Sequence, residues 1–249
     1  MKQYLIAFIF FIFCVVPSFA QSADTLKIVS LQYPPYQYIE DGIIKGCAYE
    51  IIEEVFKRLG YNFDMEIIPW SRALYSLQNG KADAVFTIYK TEEREKYLDF
   101  TKEVLINQEI ALFKLKGSRI DFNGDFRSVR EKVIGTVYSV NYGMKFDKAL
   151  IDLSLQTVDS VDGEANFRNL LFNRVDLLIN NVAGANYLID MLDIHSKVEI
   201  IYPVIEAVPS FLAFSKHHDY SGLKFEYEEE LKKLKQDGTY NKILAKYIR

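Results

Sequence analysis

Ser71-Arg72-Ala73-Leu74-Tyr75-Ser76-Leu77-Gln78-Asn79-Gly80-Lys81-Ala82-Asp83-Ala84-Val85-Phe86-Thr87-Ile88 is the stretch on which the fold turns. Residues 71–78 read as a short helix, and Asn79-Gly80 stops it. The apolar run over 82–88 has the length of a strand buried on both faces. A helix delivering the chain into a buried strand is the unit of an α/β sheet. A charged helix start, Thr91-Glu92-Glu93-Arg94, follows at once.

The same alternation extends in both directions. Upstream, Leu26-Lys27-Ile28-Val29-Ser30 alternates like a strand and runs into Tyr33-Pro34-Pro35-Tyr36, where two prolines predict an extended loop. Residues 48–59 form a helical pattern with Ile51, Ile52, Val55, Phe56 and Leu59 on one face, closed by Gly60. Residues 63–68 read as the next strand. Downstream, a strand over 110–115 leads to Lys116-Gly117-Ser118, a lobe boundary by composition. A second set follows: strands over 133–137, 175–179 and 199–202, with helices over 141–150, 163–172 and 183–192. Residues 210–214 read as a strand returning to the first set. Two helices close the chain, over 223–236 and 240–247, split by Asp237-Gly238.

Bulk properties narrow the function. Lys2, an apolar run over 4–16 and Pro17-Ser18-Phe19-Ala20 form the pattern of a secretory signal peptide over residues 1–20, cleaved near Ala20-Gln21. The run is too short for a bilayer core that needs ~20 residues. The protein is therefore expected in the periplasm. With 30 basic and 34 acidic residues the charge is −4, and losing Lys2 makes it −5. That balance gives no electrostatic footprint for nucleic acid. Cys47 is left without a partner for an internal disulfide and reads as a small buried hydrophobe.

Several segments, in order, resemble the type II periplasmic solute-binding proteins, in the polar-amino-acid branch called family 3. They are Tyr33-Pro34-Pro35-Tyr36, Gly46, Lys57-Arg58-Leu59-Gly60, 77–84, Thr91-Glu92-Glu93-Arg94, Asp99-Phe100-Thr101 and the tail over 234–244. The resemblance implies an α/β fold of two lobes joined by two hinge crossovers, with the ligand held in the cleft between them. Lobe 1 would span 24–113 plus 207–249, and lobe 2 would span 117–203. It implies a monomer that takes a small polar ligand and serves an inner-membrane ABC permease or a sensor.

The resemblance also assigns candidate ligand-binding residues. Arg94 would grip a carboxylate, since a guanidinium makes bidentate, charge-assisted bonds to a planar anion. On its residues alone it reads as a solvated arginine beside Glu93 and Glu95. Thr87 and Tyr89, where the strand ends, stand where family counterparts bond the same carboxylate. Tyr36 is a candidate pocket wall; Trp70 reads equally as wall or core. In the second set, Ser139 and Asn141 sit in the turn that offers donors to the carboxylate. The family's usual glycine is absent there, and Asn141 reads alternatively as a helix N-cap. Asn181 stands where amino-acid binders place a carboxylate for the α-ammonium. The ligand then lacks that group, or Glu206 or Asp162 reaches it.

Catalytic signals are sparse. His195, His217 and His218 have no metal-ligand spacing, and no nucleophile elbow or phosphate loop is present. No metal and no cofactor are expected. One enzyme alternative remains, a lyase of the same fold resembling cyclohexadienyl dehydratase, with Glu50 or Glu206 as the acid.

Overall fold

The computed structural model describes residues 25–248. The signal-peptide reading of residues 1–20 therefore lies outside the described residues. Within them no helix is long and apolar enough to cross a membrane.

The chain opens with β1 (Leu26–Ser30), a hairpin of β2 (Tyr38–Glu40) and β3 (Ile43–Lys45), and α1 (Cys47–Leu59). Next come β4 (Phe63–Ile67), α2 (Trp70–Gln78), β5 (Ala84–Tyr89), the short α3 (Glu92–Glu95), β6 (Leu98–Phe100) and β7 (Ile106–Leu115). The second set comprises β8 (Val133–Val137), α4 (Met144–Asp152), β9 (Gln156–Ser160), α5 (Gly163–Leu171), β10 (Leu177–Asn181) and α6 (Val182–Met191). A long β11 (Val198–Ser215) returns the chain, and α7 (Ser221–Gln236) and α8 (Thr239–Tyr247) close it.

One sheet runs through the molecule in the order β4-β1-β5-β11-β7-β10-β8-β9, with β6 also paired to β11. Parallel pairs stand at both flanks, β4-β1-β5 on one side and β10-β8-β9 on the other. The centre is the antiparallel pair β7 and β11. These two strands are the crossovers, because each changes core along its own length. Ile106 and Leu212 pack into the first core, around Ile51, Phe56, Phe86 and Tyr227. Ile110, Leu112, Ile201 and Ile205 pack into the second, around Ile134, Phe146 and Leu177.

Three local expectations are corrected. Residues 199–202 and 210–214 are not two strands but parts of β11. The pairing with β7 shifts register between Ile201 and Glu206, a break that contains Pro203, which has no N–H for the ladder. The helix expected from Asn141 begins at Met144, since Gly143 (φ 97) carries the chain into it. Finally, the Tyr33–Gln37 segment is a closed turn rather than extended. The amides of Tyr36 and Gln37 both donate to the Tyr33 carbonyl, and Tyr33 N–H donates back to Gln37.

The apolar face of α1 behaves as its spacing predicts: Ile51, Ile52, Val55 and Phe56 are fully buried, and Gly60 ends the helix in a left-handed conformation. Its first turn has no side-chain cap. Instead Cys47 N–H donates to the Pro35 carbonyl, and Ala48 and Tyr49 to that of Tyr36. Gly46 (φ 124) permits this approach, because a Cβ there would lie 2.3 Å from the Tyr36 oxygen.

Candidate functional site

A cavity of about 780 Å³ lies between the two flanks of the sheet. Its first-lobe wall comes from the loops after β1, β4 and β5, and its second-lobe wall from those after β8, β9 and β10. These are the carboxyl ends of the parallel strands, where open α/β sheets place their ligands.

Six of the candidate residues line this cavity: Trp70, Thr87, Tyr89, Arg94, Ser139 and Asn141. Arg94 is half-buried on α3, whose N-cap Thr91 accepts the Arg94 amide. Its guanidinium lies over the Trp70 ring, 5.5 Å from centroid to Cζ. Nη1 donates to the Tyr89 carbonyl at 2.8 Å. One of five N–H donors is thereby occupied. Removal from water lowers the Arg94 pKa, a cost that an anionic partner offsets. The charges of Glu93 and Asp147 offset part of that cost, but among the described residues neither forms an ion pair or hydrogen bond with the guanidinium, and Glu95 pairs with Lys90 at 2.7 Å.

Trp70 proves to be wall and core together. It opens α2, lines the cavity, and packs against the cluster containing Leu77, Ile88 and Phe100. Thr87 takes φ 58 inside β5, beside a register shift in the pairing with β11. A β-branched residue in the left-handed region is strained, and such strain gathers at binding sites. Its hydroxyl is held on both sides, accepting from Gln37 Nε2 at 2.7 Å and donating to the Phe86 carbonyl.

Ser139 takes φ 61, so the turn after β8 keeps a left-handed residue although glycine is absent. Asn141 is not the N-cap of α4. It closes the turn ahead of it, accepting from Gly143 N–H at 3.0 Å and donating to Asp147.

Tyr36 and Asn181 are not among the cavity-lining residues; both are buried behind the wall. Asn181 caps α6 by accepting from Gly184 N–H at 2.7 Å. The same oxygen accepts from the Tyr36 hydroxyl at 3.1 Å, and the amide nitrogen donates to the Tyr33 hydroxyl. Tyr33 and Tyr89 in turn donate to Gln108 Oε1 on β7, at 2.9 and 2.8 Å. Burial raises the pKa of both phenols, so each stays protonated as a donor. Gln108 and Tyr33 escape residue-by-residue reading, because only the fold brings them to Asn181.

The remaining acids have duties elsewhere. Glu206, on β11, accepts from the Lys145 amide at 2.7 Å in the first turn of α4. Asp162 lines the cavity and also caps α5, accepting from Ala165 N–H at 2.8 Å. Glu50 pairs with Lys246 and accepts from the Tyr247 hydroxyl, away from the cavity. Among the described residues no cluster of His, Cys, Asp or Glu is arranged to hold a metal ion.

A sheet shared by two lobes, with a cation-bearing cavity lined from both, defines a two-lobed solute-binding protein of the periplasmic type. The model for bacterial extracellular solute-binding proteins, family 3, matches residues 26–249, and the chain belongs to that family. It is 24% identical over 218 residues to the probable amino-acid-binding protein YxeM of Bacillus subtilis, covering 86% of this chain and 80% of the relative. It is 27% identical to the L-cystine-binding protein TcyA of the same organism, over 87% and 78% of the two chains. A membrane-bound lytic murein transglycosylase F of Desulfosudis oleivorans is 23% identical over 84% of this chain but only 45% of its own length. Enzymes are thus among the relatives. A histidine kinase sensor domain with similarity to periplasmic binding proteins shares the fold, with a TM-score of 0.78 at 20% identity over 90% and 96% of the chains.

Proposed function

We propose that this chain is an exported receptor that captures a small carboxylate-bearing solute, an amino acid or a related compound, by closing its lobes. The lobes are taken as 24–113 plus 207–249 and 117–203, moving about β7 and β11. One observation carries the reading. Arg94 faces a cavity lined from both lobes; its guanidinium contacts a ring and one carbonyl, while the charges of Glu93 and Asp147 act on it without a hydrogen bond or ion pair among the described residues. A desolvated guanidinium so placed is matched by a carboxylate that accepts from its remaining donors. Delivery is to a membrane permease or a sensor.

The lyase alternative loses its acids in this reading, because Glu50 is paired away from the cavity and Glu206 serves α4. The testing experiment is a thermal-shift screen of the mature protein against amino acids, their des-amino analogues and uncharged solutes. A ligand at a hundred times its Kd adds about 2.7 kcal/mol, which raises Tm by roughly 5–10 °C in a chain of this size. Shifts confined to carboxylates support the reading; shifts confined to uncharged solutes overturn it.

A further inference from the structure

We infer that the solute carries its carboxylate on an apolar body and has no ammonium group. The inference deepens the proposed function and rests on it. Its first support is the charge around the cavity. Arg94 and Asp162 are the acidic or basic side chains lining it. Asp162 stands exposed at the second-lobe rim and holds the first turn of α5. At the end of β10, where an ammonium partner is expected, Asn180 and Asn181 offer amides, and Asn181 is turned into the interior between Tyr33 and Tyr36. Glu206 and Asp147 are bound to the Lys145 amide and to Asn141. An ammonium drawn from water loses its hydration unless an anion faces it, and the one acid of the lining, Asp162, is exposed and already engaged as the α5 cap.

The second support is the apolar part of the wall, which stands beside the polar Gln32, Ser71 and Asn180. Ile67, Ile68, Val140 and Leu188 line the cavity. Ile39, Tyr138 and Val161 line it too, with 44%, 71% and 86% of their surface exposed. Apolar side chains held open inside a concave site match an apolar partner. A polar side chain would instead give up its hydration against these aliphatic faces. The fitting class is the aryl or branched-alkyl monocarboxylate, bearing a 2-oxo group, a 2-hydroxyl or no substituent.

Matched pairs test this by isothermal titration of the mature protein. 3-Phenyllactate is set against phenylalanine, and 4-methyl-2-oxopentanoate against leucine, with arginine, glutamine and cystine as polar arms. In at least one pair the des-amino acid should bind ten or more times tighter than its amino partner, about 1.4 kcal/mol or more. Arg94→Gln should then weaken it at least about 30-fold while keeping the wild-type melting profile. Equal or tighter binding of the amino acids, or of a polar arm, with Arg94→Gln still damaging, overturns the apolar, ammonium-free class and leaves the carboxylate receptor standing. If no carboxylate binds at millimolar concentration, both readings fail.

Discussion

Tyr36, in the first core, donates its hydroxyl to the amide oxygen of Asn181, at the end of β10, with both side chains buried. That oxygen also takes the Gly184 amide, and the Asn181 nitrogen holds Tyr33. The residue placed where a ligand contact is expected is thus a tie between the lobes. Asn181→Ala removes a helix cap and strands the buried Tyr36 hydroxyl, while Tyr33 keeps its bond to Gln108, so it should cost about 2–4 kcal/mol. Tyr36→Phe leaves Gly184 on the oxygen and should cost about 1 kcal/mol. Urea unfolding of both variants measures the order.

Gly46 makes a second test of the same loop. Its positive φ and the 2.3 Å approach to the Tyr36 oxygen leave no room for a methyl group. Gly46→Ala must part α1 from the carbonyls of Pro35 and Tyr36 that satisfy its first turn. A loss of about 2 kcal/mol or more is expected, from backbone strain with the broken contacts added. The lower urea midpoint should come with an unchanged slope.

Ser139 predicts the opposite sign. At φ 61 it occupies a conformation that costs a non-glycine residue about 1–2 kcal/mol. Ser139→Gly should therefore raise stability by up to about 1 kcal/mol once the freer unfolded chain is counted. A melting curve and a titration together separate the backbone's role from that of the hydroxyl, which lines the cavity.

Cys47 should be inert. It is fully buried at the start of α1, and burial pushes its thiol pKa up to about 12. At pH 8 a disulfide reagent should leave it unmodified in the native protein and modify it after unfolding in guanidinium. Rapid labelling of native protein would contradict the packing.

How much could be read beforehand differs between fold and site. Buried strands such as 82–88 and the one-sided pattern of α1 depend on spacing alone, and the structure has them within a residue or two. β9 leaves no signal in the sequence, because it is exposed at four of five positions and has no apolar run. Residues 198–215 read as two strands because Pro203 is a local stop signal, which pairing along β7 on both sides of it overrides. In the site, Arg94 is legible through the Thr91-Glu92-Glu93-Arg94 motif of the resemblance, whereas Trp70, at the start of a different helix, reads equally as wall or core. Asn181, Tyr33 and Gln108 are far apart in the chain, and their shared hydrogen bonds exist only once β7 and β10 are paired.

The anion grip of Arg94 is the account's central claim, and one titration tests it. The carboxylate giving the largest thermal shift is titrated by calorimetry into wild type and Arg94→Gln. A desolvated charge pair lost from one side costs about 2–5 kcal/mol, so affinity should fall at least about 30-fold with the melting temperature of the free protein unchanged. An affinity equal to that of wild type would contradict the account.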